Sequence, residues 1–153
     1  MNIFFLDKDP VKAAQLQCDK HVVKMVLETA QMVSTAVRNQ GHDVGYLSAY
    51  PKHPMTIWVN KSKNNFAWAL KHGLALGEEY THRYNKVHAS HKMLKTIQDL
   101  DIKGNAKDMT TPPLCMPDEY KKPSYIESYR NYYVNAKKHF AKYTNRDTPE
   151  FMK

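Results

Sequence analysis

The chain has 153 residues, with 23 Lys and Arg against 15 Asp and Glu, and its formal net charge is +8 when the eight histidines are neutral. Its two cysteines are too few for a secreted disulfide framework, and no apolar run approaches the roughly 20 residues of a membrane-spanning helix. We therefore expect a cytoplasmic protein, in the host cytoplasm if the source is viral, that neither depends on disulfides nor enters a membrane. The basic surplus favours a polyanionic partner, although a merely soluble basic surface would have the same composition.

The first predicted helix begins at Pro10, because Asp9 can act as its N-cap and proline is favoured at the first helical position. From residue 11 to residue 38 the chain has no Gly or Pro, and its apolar residues recur at steps of three and four. That spacing is typical of an amphipathic helix. We expect a break within residues 17–19, where Asp19 can cap a second helical segment.

Further helices are predicted after a loop at residues 41–51. Pro54 can open a short turn that runs through Trp58, and residues 66–84 follow the pattern of a long helix with few breakers. Residues 88–100 predict another short helix. The long helix contains two glycines, Gly73 and Gly77. They weaken it and would allow a neighbouring helix to approach closely.

A long loop that contains several prolines is predicted over residues 101–123, before a last helix capped by Ser124. Aromatic residues lie on overlapping faces of that last helix as far as Tyr143. No strand pattern of any length and no internal repeat is present. The sequence therefore predicts an all-α fold, a compact single-domain helical bundle over residues 1–153, with two or three long helices and a Pro-rich loop before the last helix.

Polar side chains interrupt the apolar pattern of the second predicted helical segment. His21, Lys24 and Glu28 follow one another at steps of three and four, so they form a single stripe that continues to Gln31. A histidine and a glutamate on one helix face could perform acid–base chemistry. The same stripe would also suit an ordinary solvated face with a surface pair between Lys24 and Glu28. Both interpretations stay open.

His53 precedes Pro54, which restricts its backbone and places it at a junction between loop and helix, where it could meet a ligand. A lone histidine is more often structural. A zinc site would have to draw on Cys18, His21, His88, His91 and Cys115. These residues do not complete the pair-plus-pair spacing of zinc sites, so we expect no metal.

The stretch from residue 121 to residue 146 has seven Lys and Arg against one acid, which gives a local charge of +6, and six aromatic residues interleave with them. Cations can neutralise phosphates and tyrosines can stack on bases, so this stretch is a candidate nucleic-acid surface. It could equally be a helix that packs against the core and has a basic, solvent-exposed face. The expected DNA contacts are Lys20, Lys24, His53, Lys121, Lys122, Arg130, Lys137, Lys138 and Lys142.

Five short motifs occur in order along the chain. They are the Met1-Asn2-Ile3 start, His21-x6-Glu28, Gly45-Tyr46 followed by His53-Pro54, the Asn65-Phe66-x-Trp68 helix that ends in Glu78-Glu79-Tyr80-x-x-Arg83, and the aromatic, basic region from Tyr129 to Lys138. Together these motifs resemble the phage-type pyrimidine-dimer DNA glycosylases and their bacterial relatives.

The resemblance implies an all-α enzyme in which the amino group of the first residue attacks the sugar C1′ of a flipped or distorted lesion nucleotide. Glu28 would take the role of the glutamate that assists the glycosyl and strand-cleaving steps, and His21 would support the site. Because Asn2 is too bulky for the usual removal of methionine, Met1 should be retained. Its α-amino group would be the nucleophile, and such amines have a pKa of roughly 7.7 to 8.0.

The sequence therefore predicts a monomeric DNA N-glycosylase or glycosylase/AP lyase for damaged or modified bases, which needs no metal or organic cofactor. The arginines that flank the glutamate in the family are replaced here, since Leu27 and Gln31 occupy the neighbouring positions, and this leaves the substrate base open. Two alternatives also stay open. One is a nucleotide-processing enzyme of the same fold, and the other is a small basic DNA-binding protein without catalytic activity.

Overall fold

The computed structural model describes residues 1–104 and 108–153, and all regular structure within them is helical. The α-helices are α1 (Pro10–Gln15), α2 (Asp19–Asn39), α3 (Pro54–Lys61), α4 (Lys63–Tyr84), α5 (Ala89–Ile97) and α6 (Tyr125–Tyr132). A π-helical turn (Tyr133–Lys137) follows α6 directly. The predicted all-α fold is therefore confirmed, with α2 and α4 as its two long helices. No helix in the described part of the chain is long and apolar enough to cross a bilayer.

The two long helices pack against each other, and α3 and α5 each contact both of them. The predicted close approach at the glycines of α4 is confirmed. A Cβ atom at Gly73 would lie 2.9 Å from Cγ2 of Thr29 and 3.0 Å from Cδ1 of Leu94, and one at Gly77 would collide with the ring of His91. Larger residues here would push α2 and α5 away from α4.

The segment before α1 runs through the core, because residues 3–6 are all buried. The ring of Phe4 stacks on His21 at a centroid distance of 4.2 Å and an interplanar angle of 14°. Phe5 packs on Trp68 at 4.6 Å. These apolar anchors fix the path of the chain immediately after its first two residues.

Two helix starts agree with the sequence. A side-chain oxygen of Asp9 accepts a hydrogen bond from the amide of Val11 at 2.8 Å, and the helix begins at Pro10 as predicted. Ser124 caps α6 in the same way, since its hydroxyl accepts from the amide of Glu127 at 3.3 Å. Each cap satisfies an amide that the first helical turn leaves without a partner.

The start of α2 differs from the prediction. The break before it is confirmed, but the N-cap is Cys18, and Asp19 is the first helical residue. The carboxylate of Asp19 instead accepts hydrogen bonds from the guanidinium of Arg83 at 3.1 Å and from the hydroxyl of Thr144 at 2.6 Å. A buried guanidinium offers a carboxylate a stronger interaction than a helix amide does.

The short turn predicted from Pro54 is longer than expected. It forms α3, which continues beyond Trp58 to Lys61. The hydroxyl of Ser62 accepts a hydrogen bond from the amide of Asn65 at 3.0 Å and so caps α4, which begins directly after α3 ends. The sequence offered no breaker between residues 54 and 61, and only this cap separates the two helices.

The helix predicted over residues 88–100 is α5, which is shorter at both ends. Of the loop predicted over residues 101–123, residues 105–107 lie outside the described residues. Near its end, residues 118–120 form a single 3-10 turn.

The last helix was predicted as far as Tyr143, but α6 ends at Tyr132. The hydroxyl of Tyr133, the first residue of the π-helical turn, accepts a hydrogen bond from the amide of Cys18 at 3.2 Å. Further on, the hydroxyl of Tyr143 donates to the carbonyl of Leu16 at 3.1 Å. The wider turn and the bend after it therefore bring these two tyrosines onto the junction between α1 and α2.

A buried charge network ties the end of the chain to the helices. The guanidinium of Arg83, which is buried, donates to Glu79, to Asp19 and to the carbonyl of Gln15. Arg146 adds two hydrogen bonds to the carboxylate of Glu79, at 2.7 and 2.9 Å. Burial raises the pKa of Glu79, but hydrogen bonds from Arg146 and Arg83 outweigh it and hold that pKa below its ordinary value.

Candidate active site

The second residue of the chain is held from two sides. Its backbone amide donates a hydrogen bond to Oε2 of Glu28 at 3.0 Å, and its side-chain Nδ2 donates to the carbonyl of Cys115 at 3.1 Å. The hydroxyl of Tyr129 also lies 3.3 Å from Oδ1 of Asn2. The start of the chain is thus fixed between α2 and the segment before α6.

Tyr129 organises that segment. Its hydroxyl donates to the carbonyl of Pro113 at 2.8 Å and accepts from the amide of Cys115 at 3.2 Å. The side chain is fully buried, and burial raises the pKa of its hydroxyl far above the ordinary value. Tyr129 is therefore a neutral hydrogen-bonding residue that holds the segment of Pro113 and Cys115 next to Asn2.

Glu28 is the carboxylate of this site. Its side chain is 15% exposed, and its Oε1 lies 4.0 Å from Nζ of Lys24, whose side chain is 68% exposed. At that distance and exposure the ion pair contributes little to stability. Oε2 is occupied by the Asn2 amide, and the carboxylate still reaches solvent, so a ligand could approach it.

The charges of Met1 and Glu28 both act on His53. Burial lowers the pKa of His53, the positive terminal amine of Met1 lowers it further, and the negative charge of Glu28 raises it. Nδ1 of His53 accepts a hydrogen bond from the amide of Met55 at 3.1 Å, so the neutral ring carries its proton on Nε2. The neutral imidazole of His53 therefore responds to both the terminal amine and the Glu28 carboxylate.

His21 occupies a different position from the one its helical spacing suggests. It is buried under Phe4, and its Nδ1 lies 2.6 Å from the hydroxyl of Tyr133. Burial, followed by the nearby positive charges, lowers the pKa of His21 to about 3. The ring is therefore neutral and supports the segment that carries the first two residues.

Some of the predicted phosphate ligands interact with other groups of the protein. Nζ of Lys20 lies 4.9 Å from the ring centre of Phe140, and Nζ of Lys137 lies 4.8 Å from that of Tyr132. Nε of Arg130 donates to the carbonyl of Leu6 at 2.8 Å, next to Asp7, and Lys121 pairs with Asp118 at 2.7 Å.

These interactions restrain the cations to different degrees. Arg130 is half-buried and its carbonyl bond ties it to the fold, whereas Lys20 and Lys121 keep exposed side chains. The other lysines of the predicted set are exposed. They are Lys24, Lys122, Lys138 and Lys142.

The sequence did not predict that Asn2 contacts Cys115 and Tyr129 in the site. The bonds that join them span 113 and 127 positions of the chain, and no periodicity or motif reports such pairings. Among the described residues, no group of three or more His, Cys, Asp or Glu could hold a metal ion.

Comparison with known proteins gives one match. A family model described as pyrimidine dimer DNA glycosylase matches residues 1–93, which is more than half of the chain. The matched region contains Met1, Glu28 and His53, whereas Cys115 and Tyr129 lie beyond it. No curated protein and no solved structure matches the chain.

Proposed function

The chain belongs to the pyrimidine dimer DNA glycosylase family, and from that premise we propose that it is a glycosylase and AP lyase, with its terminal amine as nucleophile and Glu28 as acid–base residue. The family acts on DNA, so the protein binds DNA. One observation carries the mechanistic part. It is the 3.0 Å hydrogen bond between the Asn2 amide and Oε2 of Glu28, which fixes the first residues beside a solvent-accessible carboxylate.

In the first step the unprotonated amine of Met1 attacks C1′ of the lesion nucleotide. A nitrogen–carbon bond forms, and the electron pair of the glycosidic bond leaves with the base. Glu28 accepts the proton that the amine loses and passes it to the ring oxygen O4′ as the sugar opens. The product is an imine between protein and DNA. Glu28, a carboxylate again after it has protonated O4′, then accepts a proton from C2′. A C2′–C3′ double bond forms, the C3′–O bond breaks with its electron pair on the 3′ phosphate, and the strand is cut.

Glu28 is suited to this role because its side chain is largely buried, still reaches solvent and is not held in a strong ion pair. Lys24 lies 4.0 Å from it and is mostly exposed. A carboxylate in this position can accept a proton and can stabilise the positive charge that develops on the sugar.

His53 is proposed to bind DNA as a neutral donor. Its Nδ1 is occupied by the Met55 amide, which leaves the Nε2 proton for a phosphate or a base edge. Exposed lysines at positions 24, 122, 138 and 142 are proposed to hold the phosphate backbone without reading sequence. The partly restrained Lys20, Lys121, Arg130 and Lys137 remain in the proposed set with smaller expected contributions.

The identity of the attacking nitrogen needs its own test. The nitrogen in contact with Glu28 belongs to Asn2, whereas within the described residues the amine of Met1 forms no ion pair. A chain that keeps Met1 has a free amine one residue away from the carboxylate. A chain that has lost Met1 would present its new amine at the contact itself.

Borohydride trapping tests the proposal. The protein is incubated with duplex DNA that contains a pyrimidine dimer or an abasic site, the imine is reduced, and the modified peptide is located by mass spectrometry. We expect a stable adduct on the first residue, and acetylation of the amine should abolish it. If neither substrate gives an adduct, the lyase mechanism is wrong. DNA binding without cleavage would favour the non-catalytic alternative.

A further inference from the structure

The side chain of the second residue is held by a segment from the last third of the chain. Nδ2 of Asn2 donates to the carbonyl of Cys115 at 3.1 Å, and Oδ1 of Asn2 lies 3.3 Å from the hydroxyl of Tyr129. We call these two contacts the N-terminal clamp. They use both polar atoms of the asparagine side chain, so a residue of different chemistry at this position would leave at least one contact unmade.

Tyr129 holds the clamp together. Its ring is fully buried and packs on Phe5 at a centroid distance of 5.6 Å. Its hydroxyl donates to the carbonyl of Pro113 at 2.8 Å and accepts from the amide of Cys115 at 3.2 Å. One hydroxyl therefore fixes the segment that supplies the Cys115 carbonyl and also touches Asn2 directly.

The clamp and Glu28 act on different atoms of the same residue. Glu28 accepts from the backbone amide of Asn2 at 3.0 Å, whereas the clamp holds the side chain. A single hydrogen bond would leave rotation about it free, but two attachments at different atoms also fix the orientation of the residue. Met1 is half-buried, and its side chain packs against the core. The terminal amine lies one peptide unit from this fixed point, so the clamp limits the directions in which the amine can point.

We propose that Asn2 and Tyr129 are positioning residues, and that the N-terminal clamp orients the terminal amine beside Glu28 for attack on C1′. This inference rests on the proposed function, because the orientation of the amine matters to the reaction only if the amine is the nucleophile. Neither side chain exchanges a proton in the reaction. Their effect is geometric, and a misplacement of about 1 Å can cost about 100-fold in rate.

Two single variants and a matched control test the clamp. Asn2→Leu keeps the branched shape and removes both polar atoms, and because leucine is also bulky, Met1 should stay in place, which intact mass checks. Tyr129→Phe removes only the hydroxyl. The control, Tyr143→Phe, makes the same chemical change. It removes the hydroxyl that donates to the carbonyl of Leu16 at 3.1 Å, a bond that also spans 127 positions but lies at the junction between α1 and α2.

Single-turnover borohydride trapping on a duplex with one abasic site, at saturating protein, separates the chemical step from DNA binding. We expect each clamp variant to lose at least about tenfold in trapping rate, while DNA affinity by fluorescence anisotropy stays within about twofold. Tyr143→Phe should match the unmodified protein in both. Normal trapping by both clamp variants would overturn the proposal. So would a comparable loss in Tyr143→Phe, because any weakened fold would then have the same effect.

The double variant, Asn2→Leu with Tyr129→Phe, shows whether the two residues act through each other. The hydroxyl of Tyr129 reaches the amine only through Asn2, so its loss should add at most about twofold once residue 2 is leucine. Losses that multiply would overturn the clamp as one unit. If Tyr129→Phe does not fold, the comparison of Asn2→Leu with Tyr143→Phe decides.

Exchange of the residue-2 amide with water, followed by NMR, gives a readout that needs no reaction. This amide donates to Glu28, and it should exchange at least about fivefold faster in either clamp variant and at the original rate in Tyr143→Phe. If the unmodified protein traps no substrate, the proposed function has failed. The exchange comparison then decides alone whether the clamp holds the start of the chain, and equal exchange in all the proteins overturns it.

Discussion

The backbone amide of Asn2 donates a 3.0 Å hydrogen bond to Oε2 of Glu28, a residue 26 positions further along the chain. The carboxylate therefore has a structural contact as well as its proposed chemical role. A substitution that removes its charge but keeps an oxygen acceptor separates the two roles. Glutamine does this, because its side-chain oxygen can still accept the Asn2 amide.

We expect Glu28→Gln to lose at least about 100-fold in turnover on duplex DNA with a pyrimidine dimer, since glutamine cannot exchange a proton with the amine or the sugar. DNA affinity and melting temperature should stay close to those of the unmodified protein. Glu78→Gln, on the exposed side of α4, is the control and should have normal turnover. Unchanged turnover in Glu28→Gln would remove this residue from the mechanism.

Two versions of the protein, one that begins at Met1 and one released from a cleavable tag so that it begins at Asn2, locate the nucleophile. Each version should form a borohydride adduct if its own terminal amine can reach C1′. The shorter chain should react faster if direct contact with Glu28 activates the amine, because the contacting nitrogen becomes the nucleophile. Adding a residue ahead of Met1 should abolish trapping while the melting temperature stays nearly unchanged. An adduct on Lys20 or Lys24 would contradict a terminal nucleophile.

The basic C-terminal stretch should contribute to binding through charge alone. Replacing Lys137 and Lys138 together with glutamine should reduce the slope of log affinity against log salt by roughly 0.9 per lost phosphate contact on duplex DNA. The ring contacts of Lys137 are expected to make its share the smaller one. Exposed Lys92 and Lys95 on α5 provide a control pair with equal charge loss. Equal slopes for the two double variants would show that the effect comes from net charge and not from this surface.

Loss of the Glu79 carboxylate should destabilise the fold without touching the reacting groups. Glu79→Gln leaves Arg83 buried with one negative partner fewer, and breaking a buried ion pair costs about 3 to 5 kcal/mol. Because the pKa of Glu79 is lowered in the fold, its contribution is complete above the ordinary value of 4.5 and is lost as the pH falls through the folded pKa. Urea unfolding at several pH values should show the gap to the unmodified protein closing in acid.

His21 should make stability depend on pH over a different range. Its pKa is 6.5 in an unfolded chain and about 3 in the fold, so stability is complete above pH 6.5 and falls as the unfolded state takes up a proton. The slope is at most about 1.4 kcal/mol per pH unit. His21→Gln should have a flatter profile between pH 6.5 and 3. Burial lowers the pKa of His72 to about 4, but this residue is present in both proteins, so its effect cancels from the comparison. Parallel profiles would contradict this.

The sequence predicted those parts of the fold that depend on neighbours within a few residues. The caps at Asp9 and Ser124 are local, and so are the glycines of α4 that admit α2 and α5. The role of Asp19 was wrong because its partners Arg83 and Thr144 lie 64 and 125 positions away. Long-range contacts of this kind compete with local capping, and only the folded chain shows which interaction forms.

In the candidate site, too, the local features were predicted and the long-range contacts were not. The His21 and Glu28 spacing correctly placed both residues on α2, but helical spacing says nothing about which groups meet them. His21 lies under Phe4, and Glu28 receives the amide of Asn2. The roles of Met1, Glu28 and the lysines stay predictions that the experiments above test.

The attachment of Asn2 to Cys115 and Tyr129 has a consequence for biosynthesis. The first residues leave the ribosome long before their partners, which are 113 and 127 positions later in the chain. During that interval the terminal amine is open to the enzymes that trim or acetylate nascent chains. Once the last helix docks, Asn2 is fixed on both sides and such access narrows. The amine is therefore most accessible during translation, and we expect its chemical state to depend on the expression host.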